Sequence, residues 1–161
     1  MQQNKKGLIA VFIIIGVFGL STYMVHKKYM LAISPTDSIP YHLLLVDKKN
    51  KKVMRGDIVG FYYSGLPAYG YKKGAGMIKY LACDEGDVLV VKNKKYYCNG
   101  TYISTARDYD SNLKKIENFK FDGAIPKGKF FAHAPHKYSF DSRYFGFAEK
   151  SKIIGKGEGW F

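Results

Sequence analysis

The segment KYYCNGTYI (residues 95–103) carries the clearest fold signal in the chain. Aromatic and β-branched residues, which favour strands, flank the dipeptide Asn99-Gly100 on both sides. Asn-Gly tolerates the positive φ angles of a type I′ turn, so the segment predicts a tight β-hairpin. Asn99-Gly100-Thr101 also fits the N-glycosylation acceptor pattern, but the hairpin is a sufficient explanation for these residues.

Strand-like runs lie on both sides of this hairpin, and turn-forming or charged residues separate them. The pattern predicts a small, mostly antiparallel β domain. The polar segment 104–125 is expected to contain one short helix around residues 112–118. The chain between residues 29 and 37 is expected to be an extended connector. The other predicted strands cover residues 41–46, 57–63, 77–83, 88–92, 128–134, 143–147 and 150–156.

The N-terminal run GLIAVFIIIGVFGLSTYMV (residues 7–25) contains no charged residue. In a helix it would span roughly 28 Å, which is close to the hydrocarbon thickness of a bilayer. The run is long for the apolar part of a cleavable signal peptide, and no convincing Ala-x-Ala site follows it. We therefore expect residues 1–28 to form a cytoplasmic stub and a retained transmembrane anchor, and residues 29–161 to form one domain. Lysines flank the run on both sides, so charge predicts its orientation only weakly.

The net charge of +13 indicates an acidic partner. The lysines are scattered over short loops, without an Arg-rich helix, zinc-finger spacing or an RNA-binding aromatic motif, so we expect anionic membrane lipids rather than nucleic acid. The two cysteines, Cys83 and Cys98, are too few for a tetrahedral metal site, and we expect neither a metal nor a cofactor. The pair can form one disulfide in an oxidising compartment.

A candidate nucleophile follows the apolar run, in ISPTDSIPYHLLL (residues 33–45). Serines are common in turns, but the neighbours of Ser38 make it more than a turn residue. Pro40 restricts the residue before it to an extended conformation. In an extended stretch Thr36 points to the same side as Ser38, where its hydroxyl could stabilise an oxyanion.

A serine nucleophile needs a base, and two kinds are available. His133 or His136 could join Asp141 in a Ser-His-Asp set, although the spacing does not demand it and favours histidines at strand edges. Lys79 lies inside the apolar run GMIKYLAC. Its side chain either snorkels to solvent, which the pattern alone favours, or is desolvated. Desolvation would lower its pKa and make it a general base.

The segment SFDSRYFG (residues 139–146) contains further polar candidates. Asp141 and Arg143 are spaced to form a bidentate ion pair, for which a structural role around a turn is sufficient. Ser139 offers a second hydroxyl able to reach the lysine.

In chain order, SIP, RGDIVGF, MIKYLACDEGD, CNG, IPKGKFF and SFDSRYFG resemble the sequence boxes of the signal peptidase I superfamily. The matches run from about residue 34 to residue 146. The Ser-x-Pro form and the Asp-Ser-Arg-Tyr phrase are similar to the TraF-type branch, which matures proteins of conjugative transfer. The run HAPH (residues 133–136) and Glu-Gly-Asp (85–87) depart from the housekeeping pattern, and such departures suit an enzyme with one or a few substrates.

The resemblance implies a signal-peptidase-like β domain on one transmembrane helix, facing the periplasm from the bacterial inner membrane. A Cys83–Cys98 disulfide is credible in that compartment. The implied roles are nucleophile for Ser38, general base for Lys79, oxyanion stabilisation for Thr36 with the Ser38 amide, orientation of Lys79 for Ser139, and a structural ion pair for Asp141 and Arg143.

The implied activity is that of a Ser-Lys endopeptidase that matures a secreted or membrane-embedded precursor. The TraF-type resemblance points to a conjugative pilin, either trimmed or trimmed and cyclised. Two alternatives remain open. One is a general signal peptidase I, and the other is an inactive, anchored β scaffold of a transfer or secretion apparatus.

Overall fold

A computed structural model describes residues 2–33, 38–65 and 70–160 of the protein. Within these ranges the chain forms two α-helices, eleven strands and a short 3-10 turn at Lys150–Lys152. The helices are α1 (Gln2–Lys28) and α2 (Ser142–Phe145). The strands are β1 (Tyr29–Ile33), β2 (Leu43–Asp47), β3 (Ile58–Tyr62), β4 (Gly76–Cys83), β5 (Val88–Lys92), β6 (Lys95–Cys98), β7 (Thr101–Thr105), β8 (Asp122–Ala124), β9 (Lys129–His133), β10 (Ala148–Glu149) and β11 (Ile153–Trp160).

Helix α1 contains the whole apolar run that the sequence singles out. Its segment Val11–Lys28 has a mean hydropathy of 1.3, and none of its residues is buried inside the described chain. By length and composition it is able to cross a membrane. The sequence predicts an extended connector for residues 29–37. Residues 29–33 instead form strand β1, which pairs with β2, and residues 34–37 lie outside the described residues.

The described strands form two antiparallel sheets. The larger sheet has the order β1-β2-β11-β3-β4-β9-β10, and the smaller has the order β7-β6-β5-β8. The mostly antiparallel β fold with one N-terminal apolar helix is therefore confirmed. The predicted hairpin is β6–β7, and Asn99 and Gly100 adopt φ angles of 48° and 79° at its turn.

The core lies against the centre of the larger sheet. Val59, Phe61, Leu81 and Phe130 are buried there, and the rings of Phe61 and Phe130 meet edge to face with centroids 5.4 Å apart. Along β4 every second residue is buried, and Lys79 belongs to the buried set. The core face of the sheet thus carries a lysine within its apolar row.

A disulfide between Cys83 and Cys98 joins β4 of the larger sheet to β6 of the smaller one, with a Cα–Cα distance of 5.7 Å. Both residues are buried in a second apolar cluster with Leu89, Tyr96 and Phe131. The strand that carries Lys79 is therefore fixed covalently to the hairpin.

Two further predictions of secondary structure are wrong. The expected strand at 143–147 is mostly helix α2, because the side chain of Asp141 accepts a hydrogen bond from the amide of Arg143 and caps a helical turn. This local cap outweighs the strand preference of the aromatic residues that follow it.

The expected helix at 112–118 is also absent from this described segment. Asp110 Oδ1 accepts hydrogen bonds from the amides of Asn112 and Lys114, at 2.8 and 2.9 Å, and closes a turn instead. Leu113 adopts a positive φ of 60°, which a right-handed helix excludes. An isolated bridge between Tyr109 and Lys115 holds the two ends of the turn together.

Candidate active site

Ser38 lies in a turn between β1 and β2 and is buried, with 7% of its surface exposed. Ile39 beside it packs in an apolar cluster with Leu44, Ile58 and Ala134, which holds this turn on the sheet. The backbone carbonyl of Ser38 accepts a hydrogen bond from the amide of His136, in the loop after β9, at 3.5 Å. Thr36, the predicted oxyanion donor, lies outside the described residues.

Lys79 lies in the middle of β4, directly opposite Val59 of β3. Only 4% of its surface is exposed, so the snorkelling orientation that the pattern favours is wrong. Burial lowers the pKa of Lys79 to about 8, with a raising contribution from Asp141 and a lowering one from Arg143. Roughly a tenth of the amine is therefore neutral at pH 7, far more than for an ordinary lysine, and this form is able to accept a proton.

Ser139 connects Lys79 to the turn that carries Ser38. Lys79 Nζ donates a 2.9 Å hydrogen bond to Ser139 Oγ, and Ser139 is 2% exposed. Ser38 and Ser139 both line one cleft of about 340 Å³. The fold thus gathers two hydroxyls and a buried lysine from three distant parts of the chain.

Asp141 and Arg143 form a fully buried ion pair beside these groups. Arg143 Nε and Nη2 each donate to one carboxylate oxygen at 2.8 Å, so the pair is bidentate. Burial acts to raise the pKa of Asp141, but hydrogen bonds from His133 and Arg143 outweigh it and hold that pKa below its usual value. Arg143 Nη2 also donates to the carbonyl of Ser139 at 3.3 Å, so the pair supports the segment that presents Ser139.

The two candidate histidines are separated by the fold. His133 Nδ1 lies 3.2 Å from Asp141 Oδ2 at the end of β9. His136 lines the cleft together with Ser38. Among the described residues, the histidine beside the aspartate is thus not the one in the cleft, which disfavours a Ser-His-Asp arrangement.

One wall of the cleft was not predicted from the sequence. Arg107, residues 109–112 and the dipeptide Lys137-Tyr138 line it together with the two serines. The sequence shows these residues only as polar loops, and no periodic pattern marks them as neighbours of Ser38. Their position follows from the turn at Asp110 and from tertiary contacts.

A cluster of Cys83, Asp87 and Cys98 brings potential metal-binding atoms within 4.8 Å of one another. Both sulfur atoms are bonded in the disulfide and offer no thiolate ligand. This cluster therefore does not fit a metal ion in the oxidised protein.

Comparison with known proteins identifies the class. Residues 4–161 match the family model described as signal peptidase, peptidase S26. The protein therefore belongs to the S26 signal peptidase family, whose members are serine endopeptidases.

Among solved structures, a signal peptidase I from Enterococcus faecalis V583 is 27% identical in sequence to this chain. The match covers 66% of this chain and 97% of that one, with a TM-score of 0.44. No curated protein matches the chain significantly.

Proposed function

We propose that this protein is a membrane-anchored endopeptidase in which Ser38 is the nucleophile and Lys79 is the general base. The observation that carries the proposal is the buried Lys79. It has a pKa of about 8 and a hydrogen bond to Ser139, which lines the same cleft as Ser38. A charged lysine would be costly in this position, and a neutral one supplies the base that a serine needs.

In the proposed reaction, neutral Lys79 accepts the proton of Ser38 Oγ as this oxygen bonds to the scissile carbonyl carbon. The resulting oxyanion is stabilised by Thr36 and the Ser38 amide, as the resemblance implies. Collapse breaks the peptide C–N bond, and the leaving amine takes the proton from Lys79. Water then attacks the acyl-enzyme with Lys79 again as base, which releases the new carboxyl end and restores Ser38.

We place the site close to a membrane surface, with residues 1–28 as anchor and residues 29–161 as catalytic domain. Ser38 follows the end of α1 at Lys28 by only ten residues. Ile33, Leu43 and Trp160 lie side by side on adjacent strands, and Ile33 and Trp160 are 75% and 52% exposed. Ile33 lies at the end of β1 away from α1. An exposed apolar row at this edge of the sheet suits contact with lipid, and the many lysines suit anionic headgroups.

The proposed location is the periplasmic side of a bacterial inner membrane. A Cys83–Cys98 disulfide suits that oxidising compartment. A precursor held in the same membrane would present a peptide bond at the height of Ser38.

The proposed substrate is a pilin-like precursor, because Ser38-Ile39-Pro40 and the segment 139–146 resemble the TraF-type branch. An acyl-enzyme can be resolved by an amine instead of water, so the same site is able to cyclise its product. A general signal peptidase would instead process many unrelated precursors, and an inactive scaffold would process none.

The test is the intact mass of a candidate pilin precursor from membranes that carry the wild type, Ser38→Ala or Lys79→Ala. Trimming by the wild type that is lost in both variants supports the dyad, and a further loss of one water in the product supports cyclisation. Ser151→Ala and Lys152→Ala are matched controls, because both residues are exposed and distant from the cleft. Continued trimming by Ser38→Ala and Lys79→Ala would contradict the dyad and favour the scaffold.

A further inference from the structure

The lining of the cleft contains two cations around one aromatic ring, in addition to the two serines. The guanidinium of Arg107 lies over the ring of Tyr138, with Cζ 3.8 Å from the ring centroid. Lys137 Nζ lies 5.2 Å from the same centroid. Tyr138 is 43% exposed, so this cationic pair is accessible from the cleft that Ser38 lines.

Within the described part of the chain, neither Arg107 nor Lys137 forms an ion pair with a carboxylate. The nearest acidic residue in sequence, Asp108, is paired with Lys94 at 2.5 Å. Asp110 also lines the cleft, but its Oδ1 accepts two backbone N–H groups and closes the turn. Arg107 thus has no carboxylate oxygen at ion-pair distance among the described residues, although Asp110 contributes a negative charge to the same cleft.

The contact with Tyr138 also orients the guanidinium. A guanidinium over an aromatic ring keeps the N–H donors in its plane available for hydrogen bonds. These donors match the two oxygens of a carboxylate, and an arginine already held in place loses less entropy when it binds one. The arrangement is thus preorganised for an anionic group with the geometry of a carboxylate.

We propose that Arg107, with Lys137 beside it, forms a subsite that selects an acidic side chain of the substrate close to the scissile bond. The proposal rests on the proposed endopeptidase function, because it takes Ser38 as the reacting group of the same cleft. An aspartate or glutamate that reaches Arg107 would fix the register of the peptide relative to Ser38.

A general electrostatic attraction is the competing explanation for a preference for acidic peptides, since a protein of net charge +13 attracts any acidic peptide. A subsite and a general field differ in two ways. A subsite prefers an acidic residue at one position of the peptide, and it depends on one arginine rather than on the total charge.

The experiment uses the full chain in detergent micelles and quenched-fluorescent peptides that span the site trimmed in the precursor. Glutamate, glutamine or lysine is placed in turn at each position near the scissile bond, and kcat/KM is measured for each peptide. The enzymes are the wild type, Arg107→Gln, Arg107→Glu and Lys92→Glu. Lys92 is an exposed residue at the end of β5, so Lys92→Glu makes the same charge reversal outside the cleft.

For the wild type we expect glutamate at one position to raise kcat/KM about tenfold over glutamine, as a charge-assisted hydrogen bond would. Arg107→Gln should remove this preference while it still cleaves the glutamine peptide. Arg107→Glu should prefer lysine at the same position, and Lys92→Glu should behave like the wild type.

Equal cleavage of the glutamate and glutamine peptides by the wild type would overturn the subsite and leave the endopeptidase function intact. A glutamate preference that Lys92→Glu weakens as much as Arg107→Glu would also overturn it, in favour of the general field. Failure of the wild type to cleave any peptide, glutamine peptides included, would overturn the endopeptidase function and the subsite together.

Discussion

Lys79 Nζ donates a hydrogen bond of 2.9 Å to Ser139 Oγ, between two buried side chains that lie 60 residues apart in the chain. A neutral lysine amine has two N–H donors and one lone pair. The bond to Ser139 uses one donor and restricts how the amine rotates. The lone pair is thereby held in one direction, which is what a base serving a single nucleophile requires.

The first prediction concerns Ser139→Ala, which removes this acceptor and leaves Lys79 free to rotate. We expect kcat/KM to fall about 100-fold, because a misplaced base abstracts the proton less often. The measurement is peptide cleavage by the purified full chain.

Ser142→Ala is the matched control for this variant. Ser142 is also buried, but its Oγ accepts a hydrogen bond from the amide of Ala132 at 2.8 Å and not from Lys79. Its loss should cost about 1–3 kcal/mol of unfolding free energy and leave kcat/KM of the folded protein unchanged. Equal losses of activity in the two variants would contradict an orienting role for Ser139.

The second prediction is the pH dependence of cleavage. Lys79 acts as a base only when neutral, and burial lowers its pKa to about 8. We therefore expect kcat/KM to rise with pH, with a midpoint near 8, and to level off well below the ordinary lysine pKa. Lys79→Arg, which stays protonated over this range, should be inactive at every pH. Activity that rises only near pH 10 would show that the lysine is not desolvated in the working enzyme.

The third prediction concerns the stability cost of burying Lys79. Its pKa is about 8 in the folded chain and 10.5 when unfolded, so between these values the unfolded chain binds more protons. The unfolding free energy of the wild type should therefore increase from pH 8 to pH 10.5, by about 3 kcal/mol from this site. Lys79→Met cannot titrate, so its advantage in unfolding free energy over the wild type should be largest below pH 8.

Chemical denaturation of both proteins across this pH range measures the difference. Lys92→Met serves as the control, because it makes the same replacement at an exposed position. A constant difference between Lys79→Met and the wild type at all pH values would contradict the lowered pKa.

The fourth prediction concerns Asp141, whose carboxylate is fully buried and bidentate with Arg143. Asp141→Asn leaves the buried guanidinium without its counter-charge, and we expect a loss of about 3–5 kcal/mol of unfolding free energy at pH 7. The pKa of Asp141 lies below its usual 3.8 in the folded chain, so its stabilising effect is complete above that value and declines as the pH falls through the folded pKa.

Chemical denaturation at neutral and acidic pH measures the unfolding free energy of Asp141→Asn and the wild type. Asp122→Asn, at an exposed position, is the control. The difference between Asp141→Asn and the wild type should narrow below about pH 4. A difference that is small at pH 7 would mean that the ion pair contributes little and that Arg143 is solvated in another way.

The sequence predicts the strands well where apolar runs are bounded by turn residues, as in the β6–β7 hairpin at Asn99-Gly100. It does not predict the burial of Lys79. Both faces of β4 are apolar, since Met77 and Leu81 lie on one face and Ile78 and Tyr80 on the other. Alternation alone therefore does not indicate which face meets the core.

The wrong predictions share a different cause. Helix α2 and the turn at residues 110–115 are each set by a different aspartate. Asp141 caps the helix and Asp110 closes the turn, and each accepts hydrogen bonds from nearby amides. Aspartates are common in loops, and only the local geometry distinguishes a cap or a turn from a surface charge. The part of the cleft that contains Arg107 depends on the turn at residues 110–115, so the sequence does not predict this part of the cleft for the same reason.

The last prediction concerns the apolar row of Ile33, Leu43 and Trp160, at the end of β1 that lies away from α1. Trp160 is 52% exposed and aligned in register with Leu43 and, beyond it, with Ile33. We expect residues 29–161, without the anchor, to sediment with anionic vesicles, because tryptophan and apolar side chains partition into the interface and lysines bind the headgroups. Trp160→Ala should lower the partition coefficient about tenfold, as the loss of part of a buried aromatic side chain would.

Tyr102→Ala is the matched control, because Tyr102 is 54% exposed but lies on β7 of the smaller sheet. It should leave binding unchanged. High salt should weaken the binding of all three proteins by screening the lysines, while the ratio between wild type and Trp160→Ala persists. If the wild-type segment does not bind anionic vesicles, or if Tyr102→Ala weakens binding as much as Trp160→Ala, the apolar row is not a membrane contact.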